Sequence, residues 1–237
     1  MFFSKLEYNQ FTEHIQDINR VDGEVLLVDK PYHVTSFEVV NKVKIAIKKI
    51  FPEKIKVGHA GTLDPLATGL LIICTGKKTK QIEQIQALEK EYTGTFFVGA
   101  TTPCFDKEKE VDFTFPTEHI TEELIVEAVK KFTGKQMQTP PIYSAVHVDG
   151  KRAYDLAREG VVEIKISPKE VDIKLFEITR IALPEIDFKV VCSKGTYIRS
   201  LARDFGLALN SGAYLTALRR TRIGDFRVEN ALTAIVN

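Results

Sequence analysis

Two spacings of apolar residues, one helical and one strand-like, divide this chain into elements. Phe11, Ile15 and Ile18 recur at helical distance, so residues 1–20 are expected to form a short amphipathic helix ahead of the main domain. The run GEVLLV from Gly23 to Val28 reads as a buried strand. Thr35 and Glu38 match a capping box, in which each side chain accepts the other residue's orphan backbone N–H. A helix follows, with Val39, Val40, Val43, Ile47 and Ile50 on one face and Pro52 as its stop. Glycines crowd residues 58–69 ahead of an apolar strand, Leu70 to Cys74. The stripe Ile82, Ile85 and Leu88 predicts a helix over Lys78 to Leu88, and alternation from Tyr92 to Val98 predicts a strand with one buried face. Thr121 caps a further expected helix, whose first turn carries Glu122 and Glu123 where the macrodipole favours anions. Val171 to Ile178 and Phe188 to Cys192 read as strands. Thr196 reads as the cap of a helix from Tyr197 to Leu209, ended by Asn210 and Gly212.

Strands and helices mix here without a regular strand-helix-strand repeat, a Pro/Ser linker or an internal repeat. One α+β domain is therefore expected over residues 21–237. Residues 139–167 contain two adjacent prolines near their start and much charge, and are expected to leave that domain as a mobile excursion. With 237 residues, 44% hydrophobic and 27% charged, the chain can bury one sizeable core or two small ones. No run approaches the roughly 20 apolar residues needed to cross a bilayer. The start, MFFSKLEYNQ, lacks the order of a secretory signal, so a cytoplasmic protein that does not engage a membrane is expected. Cys74, Cys104, Cys192 and the five histidines are dispersed, which argues against a disulfide framework or a metal cage.

A formal net charge of +1 excludes binding of a polyanion by bulk attraction, but the charge is uneven. Residues 191–228 hold seven basic side chains against two acidic ones, and residues 101–135 hold eight acidic against five basic. That asymmetry allows one basic face for phosphates and one solvated acidic face.

The string Gly58-His59-Ala60-Gly61-Thr62-Leu63-Asp64-Pro65-Leu66-Ala67-Thr68-Gly69 places one histidine and one carboxylate in a glycine-rich loop before a strand. Asp-Pro and glycine make tight turns, so the plain reading is a turn. Gly76-Lys77-Lys78-Thr79 suggests the tail of a phosphate-binding loop, but that motif needs glycine where Leu71 stands and Ser or Thr where Lys78 stands. The twelve-residue string closely resembles the signature loop of the TruB family of pseudouridine synthases. Four further segments resemble that family in the same order. They are Lys30-Pro31 with Thr35-Ser36, and Glu89-Lys90-Glu91-Tyr92. Pro140-Pro141 with Tyr143-Ser144-Ala145, Gly150 and Tyr154 to Arg158 form the third. Cys192 to Arg199, with Leu218-Arg219-Arg220 and Gly224-x-Phe226, form the fourth. The resemblance covers about residues 23–226.

This resemblance implies the pseudouridine synthase fold: a mixed, mainly antiparallel sheet flanked by helices, with residues 139–167 as a thumb that closes over RNA. It implies an isomerase that flips the T-loop uridine at position 55 of tRNA and rejoins its base through carbon. No net redox change occurs, so no cofactor and no metal is implied. By the same resemblance Asp64 is the carboxylate at the ribose, Tyr92 the functional tyrosine and Arg199 the guanidinium that pairs with Asp64. His59, Gly61, Lys30, Tyr197, Leu218, Lys194, Arg219 and Arg220 are expected to contact substrate or RNA. His59 would fill space left by displaced bases, and Leu218 and Tyr197 would flank the uracil. The partner implied is the T-arm stem-loop of tRNA, met by a monomer with no obligatory protein partner. Two departures stand out: His33 where the family usually has glycine, and His147 where it usually has lysine. The chain also ends at Asn237, which is read as a short form without the extra C-terminal RNA-binding domain of many relatives. A guide-RNA-dependent relative would share the motifs but is expected to be longer and to carry protein partners. A non-catalytic RNA-binding or tRNA-chaperone protein is the rival from another class. It would need the basic stretch but not the set Asp64, Tyr92 and Arg199.

Overall fold

A computed structural model of the chain describes residues 15, 18–19, 21–144, 146–148, 150–159 and 165–233. The helix expected over residues 2–18 lies outside these except for Ile15 and Ile18, which are both buried. Ala145, Asp149 and residues 160–164 of the expected thumb also lie outside. In chain order the elements are β1 (Val25–Lys30), α1 (Ser36–Ile50), β2 (Val57–His59), β3 (Ala67–Thr75), a 3-10 turn (Gly76–Gln81), α2 (Ile82–Ala87) and β4 (Lys90–Val98). Then come β5 (Ala100–Thr101), β6 (Phe113–Thr114), α3 (Glu122–Lys131), β7 (Gly134–Gln138), β8 (His147–Val148), β9 (Lys151–Arg152) and α4 (Ala153–Arg158). The last are β10 (Lys169–Ala182), β11 (Glu185–Cys192), α5 (Ile198–Ala208), β12 (Ala213–Ile223), β13 (Phe226–Arg227), a second 3-10 turn (Val228–Asn230) and β14 (Leu232–Thr233). The chain, read from its pattern as one α+β domain, divides into two compact units, Met1–Tyr92 with Leu218–Asn237 and Thr93–Ala217.

In the first unit the strand order is β14-β1-β3-β12. β1 runs parallel to β14 and antiparallel to β3, while β3 runs parallel to β12, so the sheet is mixed. From Leu70 to Cys74 β3 is apolar without a break because both of its faces are covered. Its odd residues Leu71 and Ile73 pack with Leu26 and Val28 against Val39, Val40, Val43 and Ile47 of α1. Its even residues Leu70, Ile72 and Cys74 pack with Ala60, Ile85, Ile223 and Val228. The capping box that starts α1 is present as read. Thr35 Oγ1 accepts from the Glu38 N–H at 3.1 Å, and Glu38 Oε2 accepts from the Thr35 N–H at 2.7 Å.

In the second unit the order is β12-β4-β11-β10-β7, with β10 antiparallel to both β11 and β7. Four phenylalanines fill its core. Phe96 on β4 stacks on Phe188 of β11 at 4.1 Å between ring centres and on Phe205 of α5 at 5.2 Å, while Phe176 of β10 meets Phe188 edge-on. The pattern is right about α5 but wrong about its start. Thr196 Oγ1 donates to Ser193 O at 3.0 Å, and the cap position belongs to Tyr197, which makes no side-chain cap. Asn210 ends α5 in the left-handed region at φ 52°, as its type allows. The helix expected over residues 78–88 is shared between the first 3-10 turn and α2.

Parallel pairing of β3 and β12 sets Gly69 opposite Arg220. Gly69 has φ 101°, and a Cβ there would stand 2.3 Å from the Arg220 carbonyl oxygen. Only glycine fits both the conformation and the space. Gly69→Ala is therefore expected to lower the urea-unfolding free energy by about 3 kcal/mol, with a lower midpoint and an unchanged slope. An unchanged midpoint would show that β3 and β12 can part at no cost.

Candidate active site

The Asp64 loop enters β3 from β2, and three buried side chains fix it from below. Arg220, 1% exposed, reaches from β12 and donates to the carbonyl oxygens of Leu70 (Nε, 2.8 Å), Thr62 (Nη1, 3.3 Å) and Gly61 (Nη2, 3.0 Å). Ser36 Oγ, in the first turn of α1, accepts from the Leu63 N–H at 2.8 Å and donates to the Leu63 carbonyl at 2.9 Å. Lys30 Nζ, at the end of β1, donates to the carbonyls of Pro31 (2.9 Å), Val34 (2.7 Å) and Pro65 (3.3 Å). The Ala67 N–H closes the turn onto Asp64 O at 3.1 Å. Asp64 thus sits between residues whose backbones are all held, and its own side chain is partly exposed.

Lys30 has no exposed surface. Burial holds its pKa down at about 8, partly offset by attraction to Asp64, Glu38 and Asp29, while Arg220 lowers it further. The attraction places the ammonium in the field of the Asp64 carboxylate. His59 ends β2 half-buried. Among the described residues its buried Nδ1 has no hydrogen-bond partner, and burial, partly offset by a backbone hydrogen bond at Gly61, lowers the ring's pKa and favours the neutral form. Gly61 follows at φ 108°. Tyr92 on β4 is 9% exposed. Leu218, Arg219 and Arg220 lie in register with Ala67, Thr68 and Gly69, directly beside the loop's exit.

Arg199, Tyr197 and Lys194 belong to the other unit. Arg199 in the first turn of α5 is buried. Its Nε lies 3.7 Å from Asp106 Oδ2, and its Nη groups donate to Cys104 O (3.3 Å) and Tyr143 O (2.9 Å). α5 therefore anchors the start of the expected thumb, where Ser200 Oγ and Arg203 Nη2 also donate to Thr139 O. Gln138 brackets Tyr197, accepting from its N–H and donating to its carbonyl. Lys194 is exposed between β11 and α5.

Most of the basic stretch expected to meet phosphates is paired within the protein, while Lys194 and Arg227 are exposed. Arg219 forms a two-pronged pair with Asp29 (3.0 and 2.6 Å), Arg222 pairs with Glu89 at 2.8 Å, and Arg203 pairs with Asp204 at 2.8 Å. Lys30 and Arg220, expected to contact substrate, instead have their cationic groups on backbone carbonyls beneath the loop. Reading by residue type missed Asp29 and Asp106, because one carboxylate with no motif spacing looks like any solvated side chain, and it named Ser36 within a motif without giving it a role. Gly76-Lys77-Lys78-Thr79 forms the first 3-10 turn, whose Gly76 N–H is taken by Lys56 O at 2.9 Å. Among the described residues no group of three or more His, Cys, Asp or Glu could hold a metal ion. All three cysteines are buried and free, and burial pushes the Cys74 thiol up to about 11.

A family model described as the N-terminal domain of TruB family pseudouridylate synthases matches residues 48–198. The chain is 62% identical to the tRNA pseudouridine synthase B of Flavobacterium johnsoniae, over 90% of this chain and 93% of that one. It is 51% identical to the protein of that name from Chloroherpeton thalassium, over 90% and 88%. Among solved structures it is similar to a chain of a Cbf5-Nop10-Gar1 complex, with 32% identity and a TM-score of 0.67 over 93% of this chain and 53% of that chain. It is also similar to a chain of an H/ACA RNP bound to a substrate RNA containing 2′-deoxyuridine, with 28% identity and a TM-score of 0.63 over 94% and 53%. The chain thus spans about half the length of those two solved chains.

The Lys30 clamp has a pH signature. The unfolded chain keeps this lysine protonated up to about 10.5, whereas the native protein releases the proton near pH 8. The unfolded state then binds more protons between these values, so Lys30 makes stability rise with pH from about 8 to about 10. The shift in urea midpoint between about pH 7.5 and about pH 9.5 should be more positive in the natural protein than in Lys30→Met. Equal shifts would mean that the buried amine keeps its ordinary affinity for protons.

Proposed function

The chain belongs to the TruB family of pseudouridylate synthases and isomerises a uridine of tRNA to pseudouridine, and we propose that its target is the T-loop uridine at position 55, extruded from the RNA and acted on at the ribose by Asp64. The reaction breaks the bond between N1 and C1′, turns the uracil, and joins C5 to C1′; C5 then gives up its proton and N1 takes one. Oxidation states balance within the nucleotide, so the proposed chemistry needs a carboxylate, a proton acceptor and a dry pocket, with no redox cofactor.

The observation that carries this reading is the fixing of the Asp64 loop by Arg220, Ser36 and Lys30. A carboxylate that must meet one sugar carbon gains from a backbone that cannot drift, since positioning alone accounts for much of catalysis. Attack on C1′ and elimination to a glycal both use Asp64 as a carboxylate, and the Lys30 ammonium lies in its field. Tyr92 is proposed to give the uracil a ring face and a hydroxyl for proton movement. Arg199 is retained as the cation of the reaction. His59 and Gly61 are assigned to the space beside the extruded nucleotide, Leu218 and Tyr197 to the uracil, and Lys194 with the exposed part of Arg219 to phosphates. A T-loop, with irregular and partly unstacked bases, is extruded at lower cost than a duplex base.

The reading also has the chain act in the cytoplasm, as a monomer and without an obligatory protein partner. Among the described residues no helix is long and apolar enough to cross a membrane.

Asp64→Asn keeps volume and removes charge. Release of tritium from C5-labelled tRNA should fall by at least about 10²-fold while tRNA binding persists. Turnover near the natural rate would remove Asp64 from the chemistry. A stem-loop of the T-arm alone should be converted with a kcat close to that of full tRNA, and one that stays unreacted would place recognition outside this arm. Raising salt should weaken binding, and Lys194→Ala should reduce the slope of log K against log salt by about 0.7 to 0.9 if the lysine meets one phosphate.

A further inference from the structure

We propose that Tyr32 and His33 form a stacking platform for an unpaired nucleobase of the substrate RNA, next to the extruded uridine. The inference rests on the reading above and adds a base contact to it.

The two residues occupy the loop between β1 and α1. Tyr32 is 43% exposed and His33 is exposed, with ring centres 4.2 Å apart and planes at 65°. Their loop is tied to the Asp64 loop at both ends. Lys30 Nζ donates to Val34 O at 2.7 Å and to Pro65 O at 3.3 Å, so these carbonyls are at most about 6 Å apart. Ser36 grips both polar groups of Leu63. His33 is one residue from Val34 and Pro65 is one residue from Asp64, so the backbone that carries the ring pair is held next to the backbone that carries the carboxylate.

His33 also holds a left-handed backbone, φ 62°, which a side chain with a Cβ adopts at a cost. Among the described residues no hydrogen bond holds its imidazole, and Tyr32 is its ring neighbour. A strained residue whose ring faces solvent, next to a second exposed ring, brings the fold no visible packing in return. Strain of this kind collects where a ligand uses it.

The chemistry of the surface selects the ligand. Unpaired RNA bases are recognised by stacking on Tyr and His faces, and any base has a π-face to offer. The Lys30 ammonium is not offered to a phosphate, since it is buried and donates to carbonyls. Phe37 is 63% exposed nearby, but the Lys44 ammonium stands 5.9 Å from its ring centre and takes one face. An RNA whose target nucleotide lies at Asp64 must lay a neighbouring nucleotide across the residues that flank Asp64, and the exposed rings are there.

The test uses the full chain and a T-arm stem-loop. Tyr32→Ala should raise Kd and KM by about 5-fold to 150-fold, with kcat at saturating RNA and Tm close to the natural protein, and Tyr32→Phe should restore binding. His33→Gly should weaken binding while leaving Tm no lower, because it removes a ring and relieves the backbone. Unpaired loop nucleotides near the target are then made abasic one at a time. At one position the natural protein and Tyr32→Ala should bind equally well, which identifies the stacked base by a mutant cycle. Unchanged Kd and KM in both Tyr32→Ala and His33→Gly, or losses that follow Tm, overturn the platform alone. A natural protein that converts no uridine overturns the platform together with the reading it rests on.

Discussion

Two cations without access to water, Lys30 and Arg220, lie under the Asp64 loop and touch almost nothing but its carbonyl oxygens and those of the loop after β1. A buried charge costs several kcal/mol unless hydrogen bonds replace its water. The carbonyls are therefore not optional partners, and the loop can neither rise nor unwind without stripping both cations. Gly69 follows from the same constraint, because Arg220 reaches beneath the loop only if β12 runs close along β3. The first unit is arranged around this exchange of cation for backbone, with α1 and the two faces of β3 supplying the apolar enclosure that makes it strong.

The second unit repeats the principle at Arg199. Its guanidinium meets Asp106 and the carbonyls of Cys104 and Tyr143, and so ties two separate stretches of the unit to α5. Arginine suits this task because its planar fork reaches several acceptors at once and stays charged when buried. The cost is paid in surface charge, since a stretch with seven basic residues presents few of them to a polyanion.

Much of this was legible in the sequence. The capping box at Thr35 and Glu38, the stripe of α1 and the unbroken run of β3 are local patterns, and local patterns survive folding. The glycine-rich loop was legible too, because its order of residues resembles a family. β12 was not, since AYLTALRRTRI carries charge on both faces and its neighbours β3 and β4 lie more than a hundred residues away. Arg220 looked like a surface cation for the same reason: nothing nearby in the chain reveals that it enters the interior. Asp106 sits among charged residues whose pattern suggests solvent, and only the fold shows it beneath Arg199.

The three cysteines bring an experimental consequence. All are buried, and burial raises the Cys74 and Cys104 thiols, so at neutral pH the thiolate that would attack an alkylating reagent is scarce, about one part in 10⁴ for Cys74. The natural protein is then nearly silent to maleimide dyes. A single cysteine introduced on the surface would carry essentially all the label, giving a fluorescent reporter of RNA docking in a chain whose own sulfur needs no removal.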